Sequence, residues 1–195
     1  MDNGRNTKSK IARAAWKLFY EKGYDETTVE DIVAESKTSK GSFYHYFSGK
    51  DALLSSLSLL FDEKYEELSA KLTDDMTACE KLLFLNKELF CMIENTVSTE
   101  LLSRLLASQL IQNEKHLLDR GRTYFKLLRI IIIKGQQNGE FREDCTVSEI
   151  VKAYALFERA IMYDWCLCNG EYSLCTYGNK MLVHFLAEFM IIRNA

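Results

Sequence analysis

The sequence predicts an all-α protein of about nine helices, and three observations support this fold class. The 195 residues include no proline and only 9 glycines, so the residues that punctuate turn-rich β architecture are scarce. Leucine, alanine, glutamate and lysine, which favour helices, are plentiful. Apolar residues make up 47% of the chain and recur every three or four residues, as they do on one face of a helix. This apolar content is enough for a hydrophobic core.

The first helix is predicted over residues 7–22, where apolar residues recur at helical spacing before a stop at Gly23. Before residue 18 the chain has five cationic residues and a single acidic one, Asp2. They are Arg5, Lys8, Lys10, Arg13 and Lys17. The first fifty residues carry nine Lys or Arg against seven Asp or Glu, while the remainder carries 16 against 21. A net charge of −3 therefore conceals a positive N-terminal end, which suits a polyanionic partner.

Two short helices joined by a tight turn are predicted next. The first occupies residues 27–36 and begins at a capping box formed by Thr27 and Glu30. Residues 37–39 turn the chain, and Ser39 caps the second helix, which continues to the phenylalanine at position 47.

The remaining helices are longer. A connecting helix over residues 50–72 has its cap signal in Ser48 and Asp51. Five more are predicted at 78–95, at 100–113, at 117–138, after a loop at 140–146, and after Gly170. The β-branched run from Ile130 to Ile133 lies within a helical period, so we assign it to a helix. We expect two domains, residues 1–50 and 51–195.

The sequence also indicates where the protein works. No apolar stretch reaches the ~18–20 residues of a membrane span, and the polar N-terminus lacks the apolar core of a signal peptide. We expect a cytoplasmic protein with no membrane partner. Six cysteines lie in apolar, helix-like segments and are expected to be reduced core residues. They are Cys79, Cys91, Cys145, Cys166, Cys168 and Cys175.

Signals of catalysis and of metal binding are missing from the sequence. It has no phosphate-binding P-loop, no nucleophile elbow and no Glu-x-x-His pair, and His45, His116 and His184 are far apart. Cys166 and Cys168 are two positions apart in sequence, which places them on different faces of a helix. We expect no enzymatic activity, no catalytic residue, no metal and no cofactor.

Residues 27–54, TTVEDIVAESKTSKGSFYHYFSGKDALL, closely resemble the TetR family of bacterial transcriptional regulators. The residues in family register are the paired threonines, Ile32 to Ala34, Ser39 with Gly41, Tyr44 to Phe47, and Lys50 with Leu53. The first helix and Gly23 also agree, so the resemblance covers about the first third of the chain.

The resemblance implies a helix-turn-helix whose third helix enters the ~12 Å wide major groove of DNA. Phe43 and Phe47 would hold this helix on the first two helices. Ten residues are expected at the DNA: Thr28, Lys37, Thr38, Ser39, Lys40, Gly41, Ser42, Tyr44, His45 and Lys50.

These ten residues have different expected roles. Thr28 and Lys50 would contact phosphates, which position the protein without specifying sequence. Base choice would rest mainly on Lys40, Ser42 and His45.

The family usually has glycine where this chain has Lys37, at a turn position that often needs positive φ. One interpretation is a slightly different turn geometry. The other is that Lys37 adds a phosphate contact.

For the C-terminal body the resemblance is one of architecture. It implies a homodimer through the last two helices, a palindromic operator in double-stranded DNA, and a pocket for a small-molecule effector, with apolar or aromatic ligands favoured. Candidate lining residues are Phe90, Phe125, Tyr154, Phe157, Met162, Tyr163, Trp165 and Cys166. Helical phase does not decide whether Glu158 and Arg159 face inward.

The expected function is a repressor that its ligand releases from the operator. The alternative is a helical small-molecule-binding or interaction protein without operator-specific DNA binding. The sequence leaves open the effector, the operator, the regulated genes and activation in place of repression.

Overall fold

The computed structural model describes residues 2–111 and 119–191, with side chains described from residue 6 onward. The predicted all-α fold is confirmed: these residues form nine α-helices and one 3-10 helix. The elements are α1 (Asp2–Lys22), α2 (Val29–Ser36), α3 (Lys40–Tyr46), the 3-10 helix (Asp51–Ser56), α4 (Leu57–Ser69), α5 (Ala78–Thr96), α6 (Thr99–Ile111), α7 (Thr123–Gln137), α8 (Val147–Leu167) and α9 (Leu174–Ala187). None of the described helices is long and apolar enough to cross a membrane. The side chain of Arg5, His116 and the predicted helix start at residue 117 lie outside the described residues.

The predicted capping box of α2 was wrong by one residue. The N-cap is Thr28, whose hydroxyl accepts from the Asp31 N–H, while the Asp31 carboxylate accepts from the Thr28 N–H. Thr27 is buried instead, and its hydroxyl donates to the Gly23 carbonyl at 2.8 Å. Adjacent threonines with acidic residues three positions later fit the same motif, so sequence alone did not fix the register.

The predicted helix over residues 50–72 is also interrupted. Residues 51–56 form the 3-10 helix, no side chain caps it, and α4 follows only from Leu57 to Ser69. Three serine hydroxyls in this stretch donate to the carbonyl three residues earlier, among them Ser55 to Ala52 at 2.9 Å. Such local bonds compete with regular helical hydrogen bonding, which explains the tighter turn.

The described residues pack in two compact units. Unit 1 contains residues 2–63 and 95–111, so it includes the three N-terminal helices and α6. Ile11, Phe19, Ile32 and Phe43 are buried in its core. Trp16 is also buried, and its indole N–H donates to the Ser56 hydroxyl at 3.1 Å. A domain boundary after residue 50 stays a prediction.

Unit 2 contains residues 64–94 and 119–191. Within it α8 contacts both α7 and α9, and the segment from Ile130 to Ile133 is helical as predicted. Gly178 of α9 lies so close to the Phe90 ring of α5 that a Cβ atom would overlap it. Trp165 is buried, and its indole N–H donates to the Tyr172 carbonyl at 2.9 Å.

One expectation about the cysteines was wrong. Cys91 of α5 and Cys175 of α9 form a disulfide, with their Cα atoms 4.7 Å apart. These residues are 84 positions apart in sequence, so only the packing of α5 against α9 reveals the pair. The other four cysteines are free thiols.

Candidate nucleic-acid interface

The helix-turn-helix begins each of its last two helices with a side-chain cap. Thr28 caps α2, since its hydroxyl accepts from the Asp31 N–H. Ser39 caps α3 as predicted, since its hydroxyl accepts from the Ser42 N–H at 3.0 Å. Each cap satisfies a backbone donor that would otherwise lack a partner, so both helix starts are fixed by local chemistry.

The third helix has one buried face and one exposed face. Phe43 and Phe47 are buried, which confirms their predicted inward orientation. The next residue, Tyr44, is 51% exposed, and Lys40, Gly41 and His45 are exposed as well. The alternation leaves a polar and aromatic surface available along α3.

All ten predicted contact residues lie at the surface of unit 1. Seven of them are exposed, and three are half-buried, namely Thr38, Ser42 and Lys50. The ammonium of Lys40, on α3, lies 2.6 Å from the carboxylate of Glu30, on α2. The contact shows that the N-terminal ends of α2 and α3, which Thr28 and Ser39 cap, lie near each other.

Sequence reasoning missed the role of Glu30. Its carboxylate accepts from Lys40, which lowers the pKa of Glu30 and raises that of Lys40. Both side chains are largely exposed, so the pair contributes little stability. To reach a base edge or a phosphate, Lys40 has to leave Glu30.

Lys50 is already engaged inside unit 1. Its ammonium donates to the carbonyls of Tyr24 and Asp25 at 2.7 and 3.2 Å and lies 4.5 Å from the centre of the Tyr24 ring. Lys50 thus fastens the start of the 3-10 helix to the loop after α1. Its predicted phosphate contact stays a prediction.

A second cation fastens the same loop. Arg104 of α6 donates to the Asp25 carboxylate at 2.9 Å and stacks over the Tyr24 ring at 5.0 Å. It also pairs with Glu100 one turn earlier. Sequence reasoning assigned α6 to the C-terminal body and gave no signal of this contact.

Lys37 keeps the turn geometry for which the family uses glycine. Its φ of 52° and ψ of 41° place it in the left-handed region, and its N–H donates to the carbonyls of Ala34 and Val33. The interpretation of a different turn geometry was therefore wrong. A phosphate contact by the exposed Lys37 ammonium stays a prediction.

We expect Lys37→Gly to raise the free energy of unfolding by about 1 kcal/mol, because glycine adopts positive φ without steric cost. If Lys37 also contacts a phosphate, the same variant should bind DNA more weakly, and the slope of log affinity against log salt should become shallower by about 1. Urea unfolding and binding titrations at several salt concentrations measure the two effects. Unchanged affinity and slope would rule out the phosphate contact.

The eight predicted ligand-lining residues of the body differ in how deeply they are buried. Phe90, Phe125, Tyr154, Met162 and Trp165 are buried, while Phe157 and Cys166 are half-buried. Tyr163 is 56% exposed, so its predicted place inside the body was wrong. Its exposure follows from helical phase, since Tyr163 lies on the same face of α8 as the exposed Leu156 and Leu167.

A polar cluster lies in the interior of unit 2 and settles the orientation of Glu158. The buried Glu158 carboxylate accepts from the Asn86 side-chain amide at 3.0 Å and from the Tyr124 hydroxyl at 2.7 Å. The Asn86 side-chain oxygen is buried without a hydrogen-bond partner. Burial raises the pKa of Glu158, although its hydrogen bonds act in the opposite direction. Arg159 is only half-buried, and burial lowers its pKa.

We expect Glu158→Gln to raise thermal stability most at pH 7–8, and less as the pH falls toward 5. The folded protein holds the Glu158 proton to higher pH than the unfolded chain does, so stability is lost as pH rises between the two pKa values. Glutamine removes this cost and still accepts from Tyr124. Melting curves of both proteins between pH 5 and 8 measure the difference, and a gap independent of pH would contradict the expectation.

A groove of about 480 Å³ opens at the surface of unit 2, between the end of α4, the start of α5 and α7. Its lining includes the apolar residues Leu72, Met76 and Ile130 and the cations Lys81 and Lys134. It contains none of the eight predicted lining residues.

Comparison with known proteins agrees with the helix-turn-helix. Residues 11–57 match the model of the bacterial regulatory proteins of the tetR family. An uncharacterised HTH-type transcriptional regulator of Lactococcus lactis is 52% identical over 48 residues. These are 25% of this chain and 24% of that protein, so the match covers about a quarter of the relative's length.

Other similarities extend over nearly the whole chain. The fatty acid metabolism regulator protein of Bacillus subtilis is 24% identical over 177 residues, which cover 88% of this chain and 90% of that protein. The crystal structure of the Thermus thermophilus repressor FadR with lauroyl-CoA superposes with a TM-score of 0.65 at 23% identity. It covers 96% of this chain and 97% of that one, which establishes a shared fold.

Proposed function

We propose that this chain, whose residues 11–57 match the model of the tetR family of bacterial regulatory proteins, is a transcriptional repressor released from its operator by a small molecule. The observation that carries the proposal is the capped α3 helix, which buries Phe43 and exposes Tyr44 and His45. A short helix with free N–H groups at its start and polar side chains outside fits the major groove. Lys40, Ser42 and His45 would read bases, with Thr28 at a phosphate.

The proposal includes a homodimer through α8 and α9 that reads a palindromic operator. Exposed apolar residues support it: Leu156, Tyr163 and Leu167 recur at helical spacing on α8, and Tyr177 and Val183 lie on α9. Stripes of this kind suit a helix bundle formed with a second copy. A two-fold dimer places two recognition helices in successive major grooves, which gives both affinity and site length.

The proposed ligand is apolar, with a long acyl chain as the leading candidate. Support comes from the aromatic interior of unit 2 and from the similarity to regulators named for fatty acid metabolism or solved with lauroyl-CoA. A ligand that changes the spacing of the two recognition helices lowers operator affinity by population shift. Arg104, which ties α6 to the loop after α1, supplies a contact through which α6 can act on the helix-turn-helix.

Selection from a random duplex library at near-physiological salt tests the proposal. We expect enrichment of a site with two-fold symmetry, bound with an affinity that falls steeply with added salt. Tyr44→Ala should abolish binding to it without unfolding the protein. Tyr20→Ala is the matched control, because Tyr20 is equally exposed, at 52%, but lies on α1 outside the proposed interface.

Once the DNA site has been selected, acyl-CoA thioesters of several chain lengths should release the protein from that duplex. A ligand that binds the body and leaves operator affinity unchanged would refute the switch, because coupling between two sites is reciprocal. Selection that enriches no duplex would favour the alternative, a helical ligand-binding protein without operator-specific DNA binding. As a regulator of bacterial genes, the protein would act in the cytoplasm.

A further inference from the structure

Helices α5 and α9 meet along a contact that includes the disulfide of Cys91 and Cys175. One turn away, the Phe90 ring packs directly on Gly178. We call residues 83–94 of α5, together with residues 173–179, which comprise the N-cap and the start of α9, the α5–α9 contact.

Hydrogen bonds secure both ends of the α5–α9 contact. The Glu94 carboxylate accepts from the Cys175 N–H at 2.8 Å and from the Ser173 hydroxyl at 3.1 Å, so α5 caps the start of α9. At the other end the Asn179 side-chain amide donates to the Leu83 carbonyl at 2.8 Å. These hydrogen bonds join α5 and α9 on both sides of the disulfide, so the contact between the two helices does not depend on the covalent bond alone. Both cysteines are half-buried, and a small oxidant can reach them.

The redox state of the compartment decides whether such a disulfide is structural or regulatory. The inference rests on the proposed function, because a regulator of bacterial genes works in a reducing cytoplasm. Structural disulfides are rare there, and those that form are usually transient, catalytic or redox-sensing. We propose that Cys91 and Cys175 are a reversible thiol–disulfide switch, oxidised by hydroperoxides, that changes operator affinity.

The chemistry balances with the hydroperoxide as the two-electron oxidant. One cysteine thiolate attacks a peroxide oxygen, the O–O bond breaks, and a sulfenic acid forms as water or an alcohol leaves. The second thiol attacks the sulfenic sulfur, the S–S bond forms, and the sulfenic oxygen leaves as water. Two thiols and one hydroperoxide thus give one disulfide, one water and one water or alcohol. Reduction by a dithiol through exchange restores both thiols.

The location of the pair connects this chemistry to DNA binding. Cys175 lies in the first turn of α9, two residues before the exposed Tyr177. Tyr177 belongs to the apolar surface proposed to bind a second copy. Forming the bond fixes the start of α9 to α5, and breaking it leaves that turn held by noncovalent contacts, among them the hydrogen bonds to Glu94 and the packing of the buried Leu174.

Peptide mapping of the full chain tests the switch. Protein reduced with dithiothreitol and then exposed to hydrogen peroxide should yield a cross-linked peptide containing Cys91 and Cys175, and dithiothreitol should reverse it with no change in helix content. On the selected operator, the oxidised and reduced forms should differ in affinity by roughly fivefold or more, as is typical of allosteric coupling. A variant with Cys79, Cys145, Cys166 and Cys168 all changed to serine should respond alike, whereas Cys175→Ser should not respond.

Three outcomes would overturn the inference. Free Cys91 and Cys175 after peroxide would show that the pair does not oxidise. Loss of helix content on reduction would make the bond a structural one. Equal operator affinity of the two forms would remove the regulatory role. In a protein that bound no duplex, the peptide mapping would still decide the redox chemistry, so failure of the proposed function is distinguishable from failure of the switch.

Discussion

Phe43→Ala is expected to lower the free energy of unfolding by about 3–5 kcal/mol, the usual cost of removing a fully buried phenylalanine. Phe43 is fully buried and packs against Phe47 at a ring distance of 6.0 Å, so its ring holds α3 in unit 1. A loss of this size is a large share of the stability of a small domain. Urea unfolding followed by circular dichroism measures it, and specific DNA binding should be lost with it.

The neighbouring Tyr44→Ala separates folding from recognition. Tyr44 is half-exposed, so its removal should leave the unfolding free energy within about 0.5 kcal/mol of the parent. DNA binding should nevertheless be lost. If both variants unfolded alike, or if Tyr44→Ala bound the operator normally, the assignment of buried and reading faces on α3 would be incorrect.

The double variant Leu156→Glu, Tyr163→Glu should convert the proposed dimer to a monomer. These side chains are 50% and 56% exposed on one face of α8, and two carboxylates per copy would face one another across a two-fold axis. Operator affinity should then fall by about 100-fold or more, because each recognition helix loses its tethered partner. Sedimentation measures the mass, and titration of the selected duplex measures the affinity.

Leu110→Glu is the matched control for this change. Leu110 is more exposed than either residue but lies on α6, outside the apolar surface of α8 and α9. It should therefore leave mass and affinity unchanged. A double variant that still sedimented as a dimer would place the dimer interface elsewhere on the chain.

Local signals in the sequence predicted much of the helix-turn-helix. The Ser39 cap and the inward orientation of Phe43 depend on spacing within one helix, and both are confirmed. The cap of α2 was placed one residue early, because Thr27 and Thr28 both precede an acidic residue by three positions. The break before Leu57 was missed, since serine hydroxyl bonding depends on rotamers that a sequence pattern does not encode.

Contacts between distant residues were beyond sequence reasoning. The pairing of Lys40 with Glu30 follows from how α2 and α3 pack, and that of Arg104 with Asp25 from the position of α6. Tyr163 was placed inside the body because it is aromatic, but the phase of α8 turns it outward. Composition predicts which residues are apolar, whereas packing decides which of them remain exposed.

The two tryptophans of the chain are divided between the units, with Trp16 buried in unit 1 and Trp165 buried in unit 2. Each indole also donates a hydrogen bond within its own unit. Substituting either one by phenylalanine leaves a single tryptophan, and its emission, excited at a wavelength that the ten tyrosines do not absorb, reports on one unit alone. The two single-tryptophan proteins therefore measure whether unit 1 and unit 2 melt together or one after the other. They also allow the kinetics of ligand entry and of DNA release to be followed separately, without any added label.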